Sequence, residues 1–185
     1  MALASAATAN DIAYTSFEST GSGNLIYASP KTADITSPTG NYCYLLSSGA
    51  VQRTGITSTK SYILSYWFKS GAAVTVTADT QSNVKTGATR NGWTYTQLQF
   101  TGTTTAVISG SGFIDEVRMY PVGASMTTYT YNPLFGITSV NDANNKITFY
   151  EFDKLSRLKN IKDQNRNITK NLFYNYGLIP SPPPY

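Results

Sequence analysis

The chain has 185 residues, enough for one large domain or two smaller units, and it contains a single cysteine and no histidine. Charged residues make up 13% of the sequence and aromatic residues another 13%, a composition typical of exposed β-sheet. The lack of histidine excludes Ser-His-Asp and Cys-His catalysis and histidine-ligated metal centres. No apolar stretch is long enough for a transmembrane helix, so we expect no membrane insertion.

The net charge of +4 comes entirely from the last 40 residues. Residues 1–145 carry seven basic and seven acidic side chains, whereas residues 146–185 carry seven basic and three acidic ones. Basic residues mixed with tyrosine and phenylalanine are one signature of a nucleic-acid surface. In this segment, however, the cations alternate with Leu158 and Ile161, which indicates the outer face of a half-buried strand. We therefore expect no nucleic-acid partner.

The first two-thirds of the chain are predicted to form short β-strands after a short leader. Residues 1–10 are mostly small, and we expect them to form a flexible leader. Beyond them, alternating or β-branched segments are separated by turns, and none has a sustained helical period. Seven strands in about 110 residues are typical of a β-sandwich, which we expect to span residues 11–121. The clearest strands are residues 12–18, 41–46, 61–69, 72–78, 93–100, 106–109 and 112–120.

Two of these strands supply the candidate ligand-binding residues. In the strand at 61–69, alternation places one apolar set in the core and leaves Trp67 on the opposite face, where we expect a partly exposed ring. In the strand at 93–100, one face mixes aromatic rings with amides, as sugar sites do, although filling one end of a sandwich is the commoner role for a tryptophan such as Trp93. The candidate residues are Trp67, Trp93, Tyr95, Gln97 and Gln99.

A weak repeat begins after a Pro- and Gly-containing boundary at residues 121–125. The sequence Tyr-Thr-Tyr-Asn at 129–132 recurs 21 positions later as Tyr-Glu-Phe-Asp, and again more loosely at 174–176. Each aromatic pair is followed by a turn and a second strand, and turns rich in Asn and Asp close each unit. We expect residues 126–176 to form a short antiparallel β-meander, followed by a proline-rich tail at 177–185.

Paired carboxylates are the remaining route to catalysis, because they can act as acid and base on one bond. Asp115 and Glu116 are adjacent on a strand, so regular pleating would point them to opposite faces. Glu151 and Asp153 share a face, but the first repeat unit lacks both acids. We therefore expect no catalytic residue.

The run at 163–167 imitates the start of a calcium-binding EF-hand loop but lacks its later Gly and Glu, so we expect a turn there.

Residues 150–158 and 162–168 resemble the YD repeat of bacterial RHS and related surface proteins. That repeat runs Tyr-x-Tyr-Asp, a short segment with a glycine, Arg-Leu, and then an Asp-x-x-Gly-Asn turn before the next strand. The chain departs from it at Asn132, Ser156 and Arg166, which replace an aspartate and two glycines. The resemblance covers about residues 126–176 and implies a structural shell or stalk without catalytic residues. Two or three units are too few to enclose a cargo.

Residues 11–121 resemble a galactose-binding-like jelly roll of the kind found in carbohydrate-binding modules. Short segments carry this resemblance: Ser-Phe-Glu at 16–18, the aromatic strand at 62–69, Gly-Trp at 92–93 and the closing strand at 113–120. Such modules often hold a structural calcium ion between the first and last strands. The resemblance implies Glu18 and Asp115 as carboxylate ligands of that ion, with no other cofactor required.

The sequence thus predicts an all-β chain, a jelly-roll β-sandwich followed by a short antiparallel β-meander of YD-type repeats. The order of the two parts resembles that in large secreted bacterial surface proteins, which implies an extracellular or cell-surface location. Our first hypothesis is a non-catalytic binding or adhesion module with a glycan as its partner. The alternative is a purely structural spacer or shell segment of an RHS-type surface protein, toxin or fibre, able to self-associate by β-edge pairing.

Overall fold

The computed structural model describes residues 1–5, 7–28 and 31–175. All regular structure in these residues is β-strand, apart from two short 3-10 helices at Ala9–Asp11 and Leu46–Ser48. The expected all-β class is therefore confirmed. The strands form three antiparallel sheets that lie in layers. The expected proline-rich tail at 177–185 and the last repeat residue, Tyr176, lie outside the described residues.

Two of the three sheets pack face to face as a β-sandwich, and all strands are numbered in chain order. The short sheet has three strands, which are Val51–Thr54 (β5), Ala73–Thr77 (β7) and the central Thr105–Ser111 (β10). The long sheet has seven strands, which are Ala13–Thr15 (β2), Thr32–Ala33 (β3), Tyr42–Leu45 (β4), Tyr62–Lys69 (β6), Gln81–Arg90 (β8), Trp93–Phe100 (β9) and Phe113–Pro121 (β11). Strand β11 is central, between β4 or β2 on one side and β6 on the other.

The sandwich core is aromatic, as the period-two alternation predicts. Tyr62, Leu64 and Tyr66 of β6 all lie in this core, on the face that the sequence assigned to it. The Tyr62 ring stacks on Phe100 with ring centroids 5.7 Å apart. Each buried ring removes a large apolar area from water, so these residues hold the short and long sheets together.

The third layer is the repeat sheet, which covers the outer face of the long sheet. From β12 to β16 it is a meander in which each strand pairs with the next one along the chain, and β1 pairs with β12 at the other edge. Its six strands are Ala2–Ser5 (β1), Ser125–Asn132 (β12), Gly136–Asn141 (β13), Ile147–Phe152 (β14), Leu158–Lys162 (β15) and Ile168–Asn171 (β16).

Residues 2–5 form strand β1, although the sequence predicted a flexible leader over residues 1–10. Strand β1 runs antiparallel to β12, with Ala2 opposite Thr128. The Ser5 and Ser125 hydroxyl oxygens lie 2.7 Å apart, and the Tyr129 N–H donates to the Met1 carbonyl at 2.8 Å. Small side chains at these positions gave no strand signal, because the pairing depends on backbone hydrogen bonds.

An aspartate closes three successive turns of the repeat sheet in the same way. Asp142, Asp153 and Asp163 each accept, through Oδ1, the backbone N–H groups of the residues two and four positions later. These hydrogen bonds measure 2.8–3.0 Å and fix the turn. The expected turn at 163–167 is confirmed. The third residue after each aspartate is left-handed: Asn145, Ser156 and Arg166 have φ of 60°, 60° and 67°.

Ser156→Gly is expected to stabilise the protein by about 0.5–1 kcal/mol, because glycine adopts a left-handed φ without steric cost. Arg166→Gly removes the same strain but is expected to destabilise the protein. The Arg166 guanidinium lies 3.8 Å from the Phe149 ring centroid and donates to the Ser37 carbonyl at 3.0 Å. Urea unfolding measures both changes. Equal shifts in the same direction would contradict this account of the two turns.

Candidate functional site

The junction between the long sheet and the repeat sheet buries both tryptophans of the chain. Trp67 and Trp93 cluster with Cys43 of the sandwich and with Ile147 and Phe149 of β14. Trp93 is 1% exposed and Trp67 is 5% exposed. The expectation of a partly exposed ring at Trp67 is therefore wrong. Alternation placed the ring on the outer face of the sandwich correctly, but the repeat sheet covers that face.

The loop before β4 makes polar contacts on both sides of the same junction. The Trp93 indole N–H donates to the Thr36 hydroxyl at 3.2 Å. Arg166, from the turn between β15 and β16, lies over the Phe149 ring and donates to the Ser37 carbonyl. Burial lowers the pKa of Arg166, and the nearby charge of Glu151 opposes this shift. The repeat sheet is thus held to the sandwich by packing and by directed hydrogen bonds.

The other three candidate sugar-binding residues lie on the same outer face as Trp93 and are half-buried. The Tyr95 hydroxyl donates to Gln97 Oε1 at 2.9 Å, and the Asn83 amide donates to Gln99 Oε1 at 2.5 Å. The Tyr95 ring packs against the Trp67 ring, with ring centroids 5.6 Å apart. With both indoles buried, no flat platform of the five residues is open to a sugar ring.

Glu18 organises the backbone of the loop that leads into β4. Its Oε1 accepts the N–H groups of Asn41 and Tyr42 at 2.8 and 2.7 Å. Burial raises the pKa of Glu18, and the two backbone N–H groups oppose this rise. A Cβ atom on Gly40 would lie 2.1 Å from the Glu18 carboxyl carbon, so the loop closes tightly over the carboxylate. Glu18 therefore has a structural role that does not need a metal ion.

Asp115 and Glu116 lie together, which corrects the expectation that they point to opposite faces. The pairing of β11 with β6 shifts register between Asp115 and Arg118, and Glu116 has a left-handed φ of 51°. In this β-bulge the regular alternation is broken. The Thr39 hydroxyl lies 3.4 Å from Asp115 Oδ2 and 2.8 Å from Glu116 Oε2. Both carboxyl groups are fully buried.

Glu116 reaches from the sandwich into the repeat sheet. Its Oε2 accepts hydrogen bonds from the hydroxyls of Tyr14 at 3.2 Å and Thr39 at 2.8 Å. Its Oε1 accepts from the Asn141 amide at 3.2 Å and from the Thr128 hydroxyl. All four partners donate, so the carboxylate is satisfied without a cation. Nothing in the sequence marks Glu116 for this role except the adjacent acid.

Arg118, two residues further along β11, makes a second polar connection to the repeat sheet. Its guanidinium donates to the Asp142 carbonyl at 3.2 Å and to Asn145 Oδ1 at 3.0 Å. Both acceptors belong to the turn between β13 and β14. Arg118 is fully buried, which for an arginine requires partners of this kind. Sequence reasoning missed it because arginine usually lies at the surface.

Burial raises the pKa of Asp115 well above its usual value, and the nearby charge of Glu116 raises it further. A carboxyl whose folded pKa is raised stabilises the fold fully below about pH 4, and this contribution is lost as the pH rises. Asp115→Asn cannot ionise, so we expect its destabilisation to be largest near pH 4 and to shrink towards pH 7. Urea unfolding at several pH values tests this, and a difference independent of pH would contradict it.

The expected calcium ligands, Glu18 and Asp115, already accept hydrogen bonds from backbone N–H groups. Asp115 Oδ1 accepts the Glu116 N–H at 2.6 Å, and its Oδ2 accepts the Thr39 N–H at 3.2 Å. Within residues 1–5, 7–28 and 31–175, no group of three or more acidic or cysteine side chains is arranged to hold a metal ion. Calcium binding stays a prediction, because carboxylate oxygens retain further lone pairs and backbone carbonyls are also ligands.

A cleft of about 760 Å³ lies beside this network, between the segment around β2 and the end of β12. It is lined by Ile12, Tyr14 and Glu18 on the sandwich side and by Tyr129 and Tyr131 on the repeat-sheet side. Tyr131 is 61% exposed. Cavities of this volume are large enough for small ligands.

Comparisons with known proteins do not assign the chain to a family. No protein-family model matches it, and no curated protein matches it at a significant level. In the described ranges, no helix is long and apolar enough to cross a membrane.

Proposed function

We propose that this chain is a non-catalytic structural segment of a larger extracellular or cell-surface protein. In this proposal residues 11–121 are a jelly roll of the galactose-binding-like type, residues 126–176 are YD-type repeats, and the two parts form one rigid unit. The observation that carries the proposal is the burial of Trp67 and Trp93 under Ile147 and Phe149 of the repeat sheet. A sugar-stacking site would keep these rings exposed, whereas their burial between two sheets fixes the two parts to each other.

The experiment that tests the proposal follows urea unfolding with two probes. Both tryptophans lie at the junction, so their fluorescence reports on the contact between the sandwich and the repeat sheet. Far-ultraviolet circular dichroism reports on all strands. If the two parts form one unit, both probes should give the same midpoint. A repeat sheet that separates first, with a change in tryptophan emission before most strand signal is lost, would contradict the proposal.

The second candidate function is glycan binding, and the cleft beside β12 is the observation that favours it. Tyr129 and Tyr131 line this cleft and offer aromatic rings to a sugar. Affinity electrophoresis through gels that contain neutral polysaccharides tests it. Retardation that is lost in Tyr131→Ala but kept in Tyr95→Ala would support binding in the cleft. Retardation that is lost in Tyr95→Ala would restore the site expected at Tyr95, Gln97 and Gln99.

A further inference from the structure

The last described strand of the repeat sheet has an open edge. Strand β16 pairs with β15 on one side, and no strand in the described part of the chain lies on its other side. All four of its residues are exposed. An edge of this kind presents unpaired backbone groups to which another strand can add.

The backbone of β16 has donors and acceptors on its open side. The Leu172 N–H, directly after β16, donates to the Lys159 carbonyl of β15 at 2.9 Å. Because successive N–H groups of a strand point to opposite sides, the Asn171 N–H points away from β15. The ladder of the repeat sheet can therefore continue beyond β16 with the same antiparallel geometry.

The open edge is also positively charged. Lys170 lies opposite Ile161, and Lys159 is two residues before Ile161, so the two lysines share one face of the sheet. Both lysines are exposed, and neither forms an ion pair within the described residues. This face of the sheet therefore carries two positive charges without an ion-pair partner among the residues that the structure describes, one on the edge strand β16 and one on the neighbouring β15.

The acidic residues of the repeat segment cannot neutralise this edge, because each is already engaged. Glu151 pairs with Lys162, Asp153 pairs with Arg157, and Asp142 and Asp163 each hold their own turn. The Glu151 contact shows how this sheet matches charge, since an acid on β14 meets a lysine on the neighbouring β15. A strand added to β16 would place its acids beside Lys170 in the same way, and Lys159, one strand further in on the same face, would attract them at longer range.

Two other occupants of the edge are less suitable. The residues after 175 contain four prolines and no acid, and proline cannot donate to a β-ladder. A second copy of the chain that paired through β16 would bring its own Lys170 to the same edge, with its Lys159 one strand behind, and like charges repel. Lysine at a strand edge is a known barrier to self-pairing of this kind.

We propose that the β16 edge receives an extended acidic segment of a partner protein, which adds to the repeat sheet as its next strand. The proposal rests on the structural function inferred above, because it uses the repeat sheet as a fixed scaffold. The two can fail separately. Non-coincident unfolding would contradict the rigid unit, whereas failure to bind the acidic strand would contradict only this inference.

Fluorescence anisotropy with a labelled octapeptide of alternating threonine and glutamate tests the proposal on the full chain. We expect saturable binding that Lys159→Gln with Lys170→Gln weakens about fivefold, the value for losing two exposed ion pairs. The matched control, Lys146→Gln with Lys154→Gln, removes the same charge from turns away from the edge and should leave binding unchanged. The same octapeptide N-methylated at alternate residues keeps its charge but loses backbone donors, and should not bind.

Three outcomes would overturn the proposal. No saturable binding of the acidic octapeptide would show that the edge does not accept such a strand. Equal binding of the N-methylated peptide would show attraction by charge alone, without strand addition. Equally tight binding of a single-stranded oligonucleotide, weakened by the same lysine substitutions, would show a general cationic surface and a nucleic-acid partner instead.

Discussion

Replacing Phe149 by alanine is expected to lower the free energy of unfolding by about 3–5 kcal/mol, the cost of deleting a large buried ring. Phe149 is 6% exposed and packs in the cluster that contains Trp67 and Trp93. It also carries the Arg166 guanidinium on its ring face. The substitution therefore opens a cavity between two sheets and removes a contact that holds a turn.

Urea unfolding followed by tryptophan fluorescence measures this effect directly, because both tryptophans line the cavity that the substitution creates. The matched control is Phe173→Ala, since Phe173 is 88% exposed. The control should change the free energy of unfolding by no more than about 0.5 kcal/mol. If both variants unfolded at the midpoint of the unchanged protein, the junction would contribute no stability and the rigid unit would be refuted.

A second large effect is expected at the buried acid of the β11 bulge. Glu116→Ala should lower the free energy of unfolding by about 3–5 kcal/mol, because it removes the acceptor that four buried donors share. Those donors come from both parts of the chain: Tyr14 and Thr39 in the sandwich, Thr128 and Asn141 in the repeat sheet. The loss therefore weakens the sandwich and the junction together.

Glu116→Gln is the matched variant, and it should cost no more than about 1 kcal/mol. Three of the four partners are hydroxyls, which can rotate to accept from the new amide, while the remaining oxygen still accepts from Asn141. Both variants keep a non-glycine residue at the same positive φ, so backbone strain does not distinguish them. Equal destabilisation by alanine and glutamine would indicate that the charge, and not the hydrogen bonding, matters.

Sequence patterns predicted those parts of the fold that depend on local alternation. In β6 the period of two correctly predicts that Tyr62, Leu64 and Tyr66 face the core. Alternate residues of a strand point to opposite faces of the sheet, and only one face of β6 lines this core. The turn at 163–167 followed from its side-chain acceptors in the same local way. Both features are encoded within a few consecutive residues.

Strand β8 shows what local patterns miss. Its residues, Gln81–Arg90, have no apolar alternation, and all but the last are exposed. It is a strand because it pairs with β9, with two shifts of register along the way. A strand held by backbone hydrogen bonds, with no buried face, carries no hydrophobic period from which it could be predicted.

The junction was missed for a related reason. Trp67 and Trp93 were assigned to the correct face of the sandwich, but the sequence does not reveal which surface covers that face. Asp115 and Glu116 were assigned to opposite faces because the sequence gives no sign of the bulge. Glutamate rarely adopts a left-handed φ, and no glycine stands at the bulged position. In both cases the outcome depends on residues far apart in the chain.

Strand β1 also has a consequence for the order in which the chain folds. The hydrogen bond between the Ser5 and Ser125 hydroxyls joins β1 to a residue 120 positions away. The strands from β12 to β16, in contrast, pair as local hairpins. Closing a loop of that length costs much more entropy than closing a hairpin, and contacts of high sequence separation form slowly. We therefore expect β1 to dock last, after the hairpins have formed and the sandwich has brought the two segments together. During synthesis, the edge of β12 stays open until that step is complete.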